Sequence, residues 1–109
     1  MSFNATTEIN DNTAIITLAG ELDAAAAAVF RAEVEQTAAA NPVHLVLQMQ
    51  ELDYIASAGL RVLIFAKQKM GTNVDIYVVA PQEMVLDTLE KTGFDQSVII
   101  VDRYEAAVA

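Results

Sequence analysis

The sequence predicts a single α/β domain: a mixed β-sheet, opened by an N-terminal β-hairpin and completed by β-α repeats, with helices packed on it. Three observations predict it. Two β-prone runs, residues 3–9 and 14–18, are separated by Asn10-Asp11-Asn12, a link so short that the strands must run antiparallel. From residue 23 onward, helical and strand patterns alternate, as expected of parallel β-α units with right-handed connections. The 109 residues, 54% hydrophobic and 19% charged, suit one folded domain over residues 1–109 and exclude a disordered chain.

The elements follow in order. Phe3 to Ile9 is polar-rich and reads as an edge strand, and Ala14 to Leu18 is its partner. Gly20 and Glu21 break the strand pattern, and Asp23 is placed to cap a helix over Ala24 to Ala40. Ala26, Phe30, Val34 and Thr37 form its inner face, with Arg31, Glu33 and Glu35 mostly outside it. Asn41-Pro42 ends that helix, because the residue before a proline is driven out of the helical region. Val43 to Met49 is a buried strand. Leu52 to Ile55 leads into a second helix from Ser57 to Met70, closed by Gly71. Val74 to Ala80 is the fourth strand, Gln82 to Thr92 a third helix stopped by Gly93, and Val98 to Val101 a last short strand followed by a brief helical tail.

Composition narrows the function. Fifteen acidic residues against six basic ones give a net charge of −9, a field that repels nucleic acids and anionic membranes, so neither is expected as a partner. No apolar run approaches the roughly 20 residues of a membrane helix, and the N-terminus does not read as a secretory signal. The absence of cysteine rules out disulfides and thiolate metal sites, and a cytoplasmic location is expected. No cofactor or metal site is expected, nor catalysis by the chain itself. The single histidine, His44, is remote in sequence from any nucleophile, and no nucleophile elbow, glycine-rich phosphate loop or His/Glu metal motif is present. A phospho-aspartate receiver, suggested by Asp53 after the third strand, fails because the chain opens with a hairpin.

Residues 51–64, ELDYIASAGLRVLI, carry the chemistry. A buried strand ends, and the small-residue turn Ala56-Ser57-Ala58-Gly59 opens an apolar helix. Unpaired N–H groups and the helix dipole favour negative charge there. A serine in this turn can present its hydroxyl and, once esterified, hold a phosphate against those groups. Ala56, Ala58 and Gly59 leave room for another protein's active site. The plain structural alternative is that Ser57 is only the helix N-cap. On a helical wheel Leu60, Val62, Leu63, Ile64, Ala66 and Met70 sweep out a broad apolar face, while Arg61, Phe65, Gln68 and Lys69 fall on the polar arc. Arg61 and Phe65 are therefore candidate partner-binding residues, Arg and aromatics being enriched at interface hot spots. The alternative for Phe65 is that it tucks under a neighbouring loop. Lys67 lies among apolar residues and is expected to snorkel. Glu21 and Asp23, two apart at a helix start, suit the dipole and the cap better than a catalytic pair.

Ala56-Ser57-Ala58-Gly59-Leu60 resembles the strand-to-helix turn of the STAS domain of bacterial anti-sigma factor antagonists, commonly Asp-Ser-Ser/Thr-Gly-Leu with the first serine phosphorylated. Leu18-Ala19-Gly20-Glu21-Leu22-Asp23 resembles that family's Leu-x-Gly-Glu-Leu-Asp after the second strand, and Thr92-Gly93-Phe94 its small residue, Gly and apolar residue after the third helix. The three matches lie in register across nearly the whole chain. The resemblance implies a single STAS domain, with Ser57 as the phosphorylated residue and Asp23, Asp53, Ala56, Ala58 and Gly59 as its surroundings. Glu21 joins Arg61 and Phe65 as a candidate partner-binding residue. Ala56 departs from the family, which has Asp there; Asp53, close in sequence, and Asp23 are the carboxylates available to replace it.

The function implied is that of an anti-sigma factor antagonist in a partner-switching circuit. The unphosphorylated form binds an anti-sigma factor that is also a serine kinase and thereby frees a sigma factor. The kinase, using ATP and Mg²⁺, phosphorylates Ser57 and ends the binding; a serine phosphatase restores it. The alternative is a STAS domain without the phosphoswitch, a scaffold or a subunit of a larger complex such as one for lipid transport.

Overall fold

The computed structural model describes residues 3–71 and 73–104. Five strands form one sheet whose spatial order equals their order in the chain: β1 (Phe3–Asn10), β2 (Thr13–Leu22), β3 (His44–Ile55), β4 (Asp75–Val79) and β5 (Ile99–Val101). Only β1 and β2 are antiparallel; the other pairs are parallel, and β1 is an edge as its polar sequence suggested. The hairpin turns through Asp11 and Asn12, with Asp11 at φ 55°, a conformation Asp tolerates better than most residues.

The parallel connections are α1 (Ala24–Ala39), α2 (Ser57–Met70) and α3 (Glu83–Thr92), the last followed by a short 3₁₀ turn at Phe94–Ser97 that the sequence reading had not separated from the loop. Side chains alternate across each strand. Ala14, Ile16 and Leu18 of β2, Leu45, Leu47 and Met49 of β3, and Ile76 and Val78 of β4 point into one buried cluster. Phe30 and Val34 of α1, Leu63 and Ala66 of α2, and Val85, Leu89 and Phe94 of α3 and the turn after it join the same cluster. All three helices thus serve one core, as crossovers of one hand along a monotonic strand order require. The inner face of α1 is the predicted one, with Ala26, Phe30, Val34 and Thr37 all buried.

On the other face Ile15, Val46, Tyr77 and Ile99 stand abreast in register. Tyr104, beyond β5, lies over Tyr77 with ring centroids 4.9 Å apart and its hydroxyl 2.8 Å from His44 Nδ1. Burial foremost, then Asp75 and Tyr104, raise the Tyr77 phenol above the usual tyrosine value. His44, expected to be partly packed, is held by these rings and by Asp75, 3.7 Å from its Nε2. Asp102 to Tyr104 are not helical, and the rest of the expected helical tail lies outside the described residues. No helix among the described residues is long and apolar enough to cross a membrane.

Two boundaries differ from the sequence reading. β2 does not stop at Leu18 nor β3 at Met49: they continue side by side to Leu22 and Ile55. Gly20 does not end the strand. At φ 93° it takes up one of two register shifts, between Thr17 and Ala19 and between Gly20 and Glu21, that bend β2 while keeping it paired. Asp23 caps α1 as expected, its carboxylate accepting from the Ala26 N–H at 2.9 Å. Replacing it by alanine is expected to cost about 1 kcal/mol and lower Tm by roughly 4–8 °C in thermal unfolding followed by circular dichroism. An unchanged Tm would show that the cap carries no net stability.

Candidate functional site

The site is built where β2 and β3 end together. Glu21 lies opposite Tyr54 and Leu22 opposite Ile55, and the Ala56 N–H donates to the Leu22 carbonyl at 2.9 Å. This bond carries the strand pairing up to the first residue of the helix. Ala56, extended at φ −87° and ψ 168°, is the N-cap of α2, and the Leu60 N–H closes the first turn on its carbonyl at 3.0 Å. Ser57 is therefore the first helical residue and not the cap. Its side chain is exposed and, among the described residues, its hydroxyl has no hydrogen-bond partner. Alanine cannot cap, so the first-turn N–H groups remain open to water or to an incoming acceptor.

The small residues around Ser57 have different tasks. Ala58 is half-buried against the core. Gly59 is buried, and a Cβ built on it would lie 2.6 Å from Leu22 Cγ and 3.2 Å from Ile55 Cγ1. The glycine lets the first turn of α2 press onto the ends of both strands, which fixes where Ser57 points.

Two carboxylates near this end of the sheet, Asp23 and Asp53, are engaged elsewhere. Asp23 caps α1. Asp53, exposed on β3, accepts from Gln82 Nε2 at 3.1 Å, and the same nitrogen donates to the Gln50 carbonyl at 2.9 Å. That pair of bonds ties the start of α3 to the extension of β3. Neither carboxylate hydrogen-bonds to Ser57, so among the described residues the position left by Ala56 has no bonded substitute. Among the described residues no three His, Cys, Asp or Glu side chains gather where they could hold a metal ion.

The outward side of α2 is mixed. Ser57, Arg61, Ile64 and Gln68 are all exposed and, at spacings of four, three and four, share one stripe. Ile64 was expected on the apolar face; it is 40% exposed, because the core contact of α2 is narrower than its apolar arc. It edges a groove shared with Lys67, Gln68, Phe94 and Ser97. Lys67 is half-buried there. Phe65 is neither free nor under a loop. It is half-buried, and the Arg31 guanidinium of α1 lies 4.1 Å over its ring, held also by Glu35 at 3.6 Å. One residue that sequence reasoning missed is Tyr54, 43% exposed beside Glu21. Its signal lay in the extension of β3, which sets Asp53 and Tyr54 outward and Ile55 inward.

The profile of the STAS domain family matches residues 4–107. The anti-sigma-F factor antagonist RsfB of Mycobacterium tuberculosis is 26% identical over 96 residues, 88% of this chain and 79% of the relative. Among solved structures, an anti-sigma factor antagonist from Mycobacterium paratuberculosis superposes with a TM-score of 0.87 at 22% identity, covering 98% of this chain and 92% of the other. The Bacillus cell-fate determinant SpoIIAA in its phosphorylated form gives 0.71 at 15% identity, covering 98% and 96%.

Proposed function

Given that the chain belongs to the STAS domain family, we propose that it is an anti-sigma factor antagonist whose partner binding is turned off by phosphorylation of Ser57. The observation that carries this reading is the setting of Ser57, an exposed and unbonded hydroxyl on the first residue of α2, at the family's modified position. The names of the relatives support the class of function. A relative of the same fold described in a phosphorylated form supports the mode of control.

In the proposed circuit, which is cytoplasmic, the unphosphorylated chain binds an anti-sigma factor that is also a serine kinase, and a sigma factor is released. The interface centres on Ser57 and includes Glu21, Arg61 and Phe65, with Asp23, Asp53, Ala56, Ala58 and Gly59 around the hydroxyl. In the kinase site Ser57 Oγ attacks the γ-phosphorus of ATP, the bond to the β,γ-bridging oxygen breaks, and ADP leaves. The hydroxyl proton passes to a base of the kinase. The product carries about −1.5 to −2 additional charge in a chain already at −9, and an interface packed around a neutral hydroxyl loses affinity through repulsion and desolvation. A phosphatase returns the serine by hydrolysis.

Intact mass after incubation with the cognate anti-sigma kinase and MgATP tests this. The wild type is expected to gain one phosphate and Ser57→Ala none. A wild type that binds the kinase and stays unmodified would instead identify a constitutive antagonist or scaffold.

A further inference from the structure

Given a phosphate on Ser57, as proposed above, we infer that Arg61 is the side chain that holds it, and that the switch acts in part by withdrawing this cation from the partner. The distribution of paired and unpaired charge carries the inference. On α1, Arg31 pairs with Glu35, and on α3, Lys91 pairs with Asp87 at 2.9 Å, each four residues apart. α2 differs. Its sequence, SAGLRVLIFAKQKM, contains no acidic residue, and among the described residues Arg61, Lys67 and Lys69 have no ion-pair or hydrogen-bond partner. A helix that carries three cations and no anion lacks the pairing its neighbours have.

Phosphorylation of Ser57 supplies the missing anion at the right place. Ser57 and Arg61 are both exposed and one turn apart, the same spacing as the two pairs above. Helical side chains lean toward the N-terminus, so Arg61 reaches back over Ser57, and an anion four residues before a cation is the favourable order. The guanidinium offers two parallel donors to two phosphate oxygens. Lys67 and Lys69 begin ten residues further on, about 15 Å along the axis, and are out of reach. Two neighbouring carboxylates are already engaged, Asp23 with the Ala26 N–H and Asp53 with Gln82.

The two states then present different surfaces. Unphosphorylated, Arg61 is available to an acidic group of the partner. Phosphorylated, the surface gains a dianion and loses the free guanidinium together.

The test installs phosphoserine at position 57 by genetic encoding, without any kinase, and follows the second phosphate ionisation by ³¹P NMR. In the wild type it is expected about half a pH unit below its value in Arg61→Gln, with Arg61→Lys between them. The gap should close in roughly 0.5 M salt. The Arg61 Nε–H resonance should move with the same midpoint as the phosphorus. Glu21, Asp23, Asp53 and the start of α2 act on the phosphate equally in every variant and cancel in the comparison. Equal values in wild type and Arg61→Gln would overturn the pairing and leave the phosphate to backbone amides and water. Masking has its own readout. Phosphorylation should reduce affinity for the cognate anti-sigma kinase by a smaller factor in Arg61→Gln than in the wild type, and equal factors would overturn that half. Because the phosphate is installed directly, the NMR result stands whatever the kinase assay gives. Unchanged thermal unfolding of unphosphorylated Arg61→Gln confirms that the fold is intact.

Discussion

Replacing Gly59 by valine is expected to destabilise the domain by about 3 kcal/mol and to lower Tm by roughly 10–20 °C. The cause is geometric. The Cβ alone would lie 2.6 Å from Leu22 Cγ and 2.8 Å from Leu22 Cδ2, well inside contact distance. Leu22 is fully buried at the end of β2 and Ile55 almost so at the end of β3, so neither can swing into solvent to make room. Relief requires α2 to lift from the strand ends, which opens the packing of Leu60 and Leu63. Alanine separates the two effects at work. It gains about 1 kcal/mol of helix propensity over glycine but meets the same Leu22 contact, so a net loss of about 1–2 kcal/mol is expected. Valine adds two further carbons and a branched Cβ with no propensity gain to match. Urea titration of both variants measures this, with exposed Gln68→Ala expected within about 0.5 kcal/mol of wild type as the control. A wild-type midpoint for Gly59→Val would mean that α2 does not sit against Leu22 as described.

Ser57→Asp is expected to weaken binding to the cognate anti-sigma factor by roughly 30- to 150-fold, while Ser57→Asn leaves it near the wild-type value. Asn and Asp have nearly the same shape, so the comparison isolates charge. A carboxylate brought into an interface that closes over a neutral hydroxyl costs about 2–3 kcal/mol where it is not paired across that interface. Asp at this position also stands four residues before Arg61 and can draw on it as a phosphate would, though with a single negative charge and a shorter reach. Titration calorimetry at physiological ionic strength reads the difference. Equal affinities for the aspartate variant and wild type would remove the electrostatic switch and favour a scaffold role.

Much of this was legible in the sequence, for identifiable reasons. Asn10-Asp11-Asn12 could only be a hairpin turn, Asp23 preceded a run of helix-forming alanines, and the glycines after Met70 and Thr92 closed helices where expected. The extensions of β2 and β3 were not legible. β4 leaves β3 at the Gln48–Val79 pair, so beyond Met49 the strand has a neighbour on one side only, and Glu51, Asp53 and Tyr54 all face solvent. Such a stretch lacks the alternation that marks a half-buried strand. Gly20 misled in the same way, since a positive φ inside a paired strand looks like an ending until the bulge is seen. At the turn, no periodicity could separate cap from first helical residue, and among the described residues the Ser57 hydroxyl is left without a hydrogen-bond partner. A helical wheel could not know that Arg31 reaches across from α1 to Phe65, nor that Ile64 stays outside the core. Both depend on the neighbouring helices.

That the five strands lie in the sheet in the order in which they occur in the chain has a consequence for how the protein is made. Every strand after the first pairs with the strand made before it, across one helix for β3, β4 and β5. The β1–β2 hairpin can close alone, and each later β-α unit docks onto an edge already in place. The hairpin closes across a short turn, each parallel pair forms only once its crossover helix has been made, and N-terminal segments emerge from the ribosome first. The growing edge is the hazard of this route, since β2 exposes an apolar face until α1 and β3 arrive. The sixteen residues of α1, rich in alanine and capped by Asp23, can become helical before the sheet is complete and so shorten that interval. The same Asp23 cap that follows β2 thus also governs how long the nascent sheet stays uncovered.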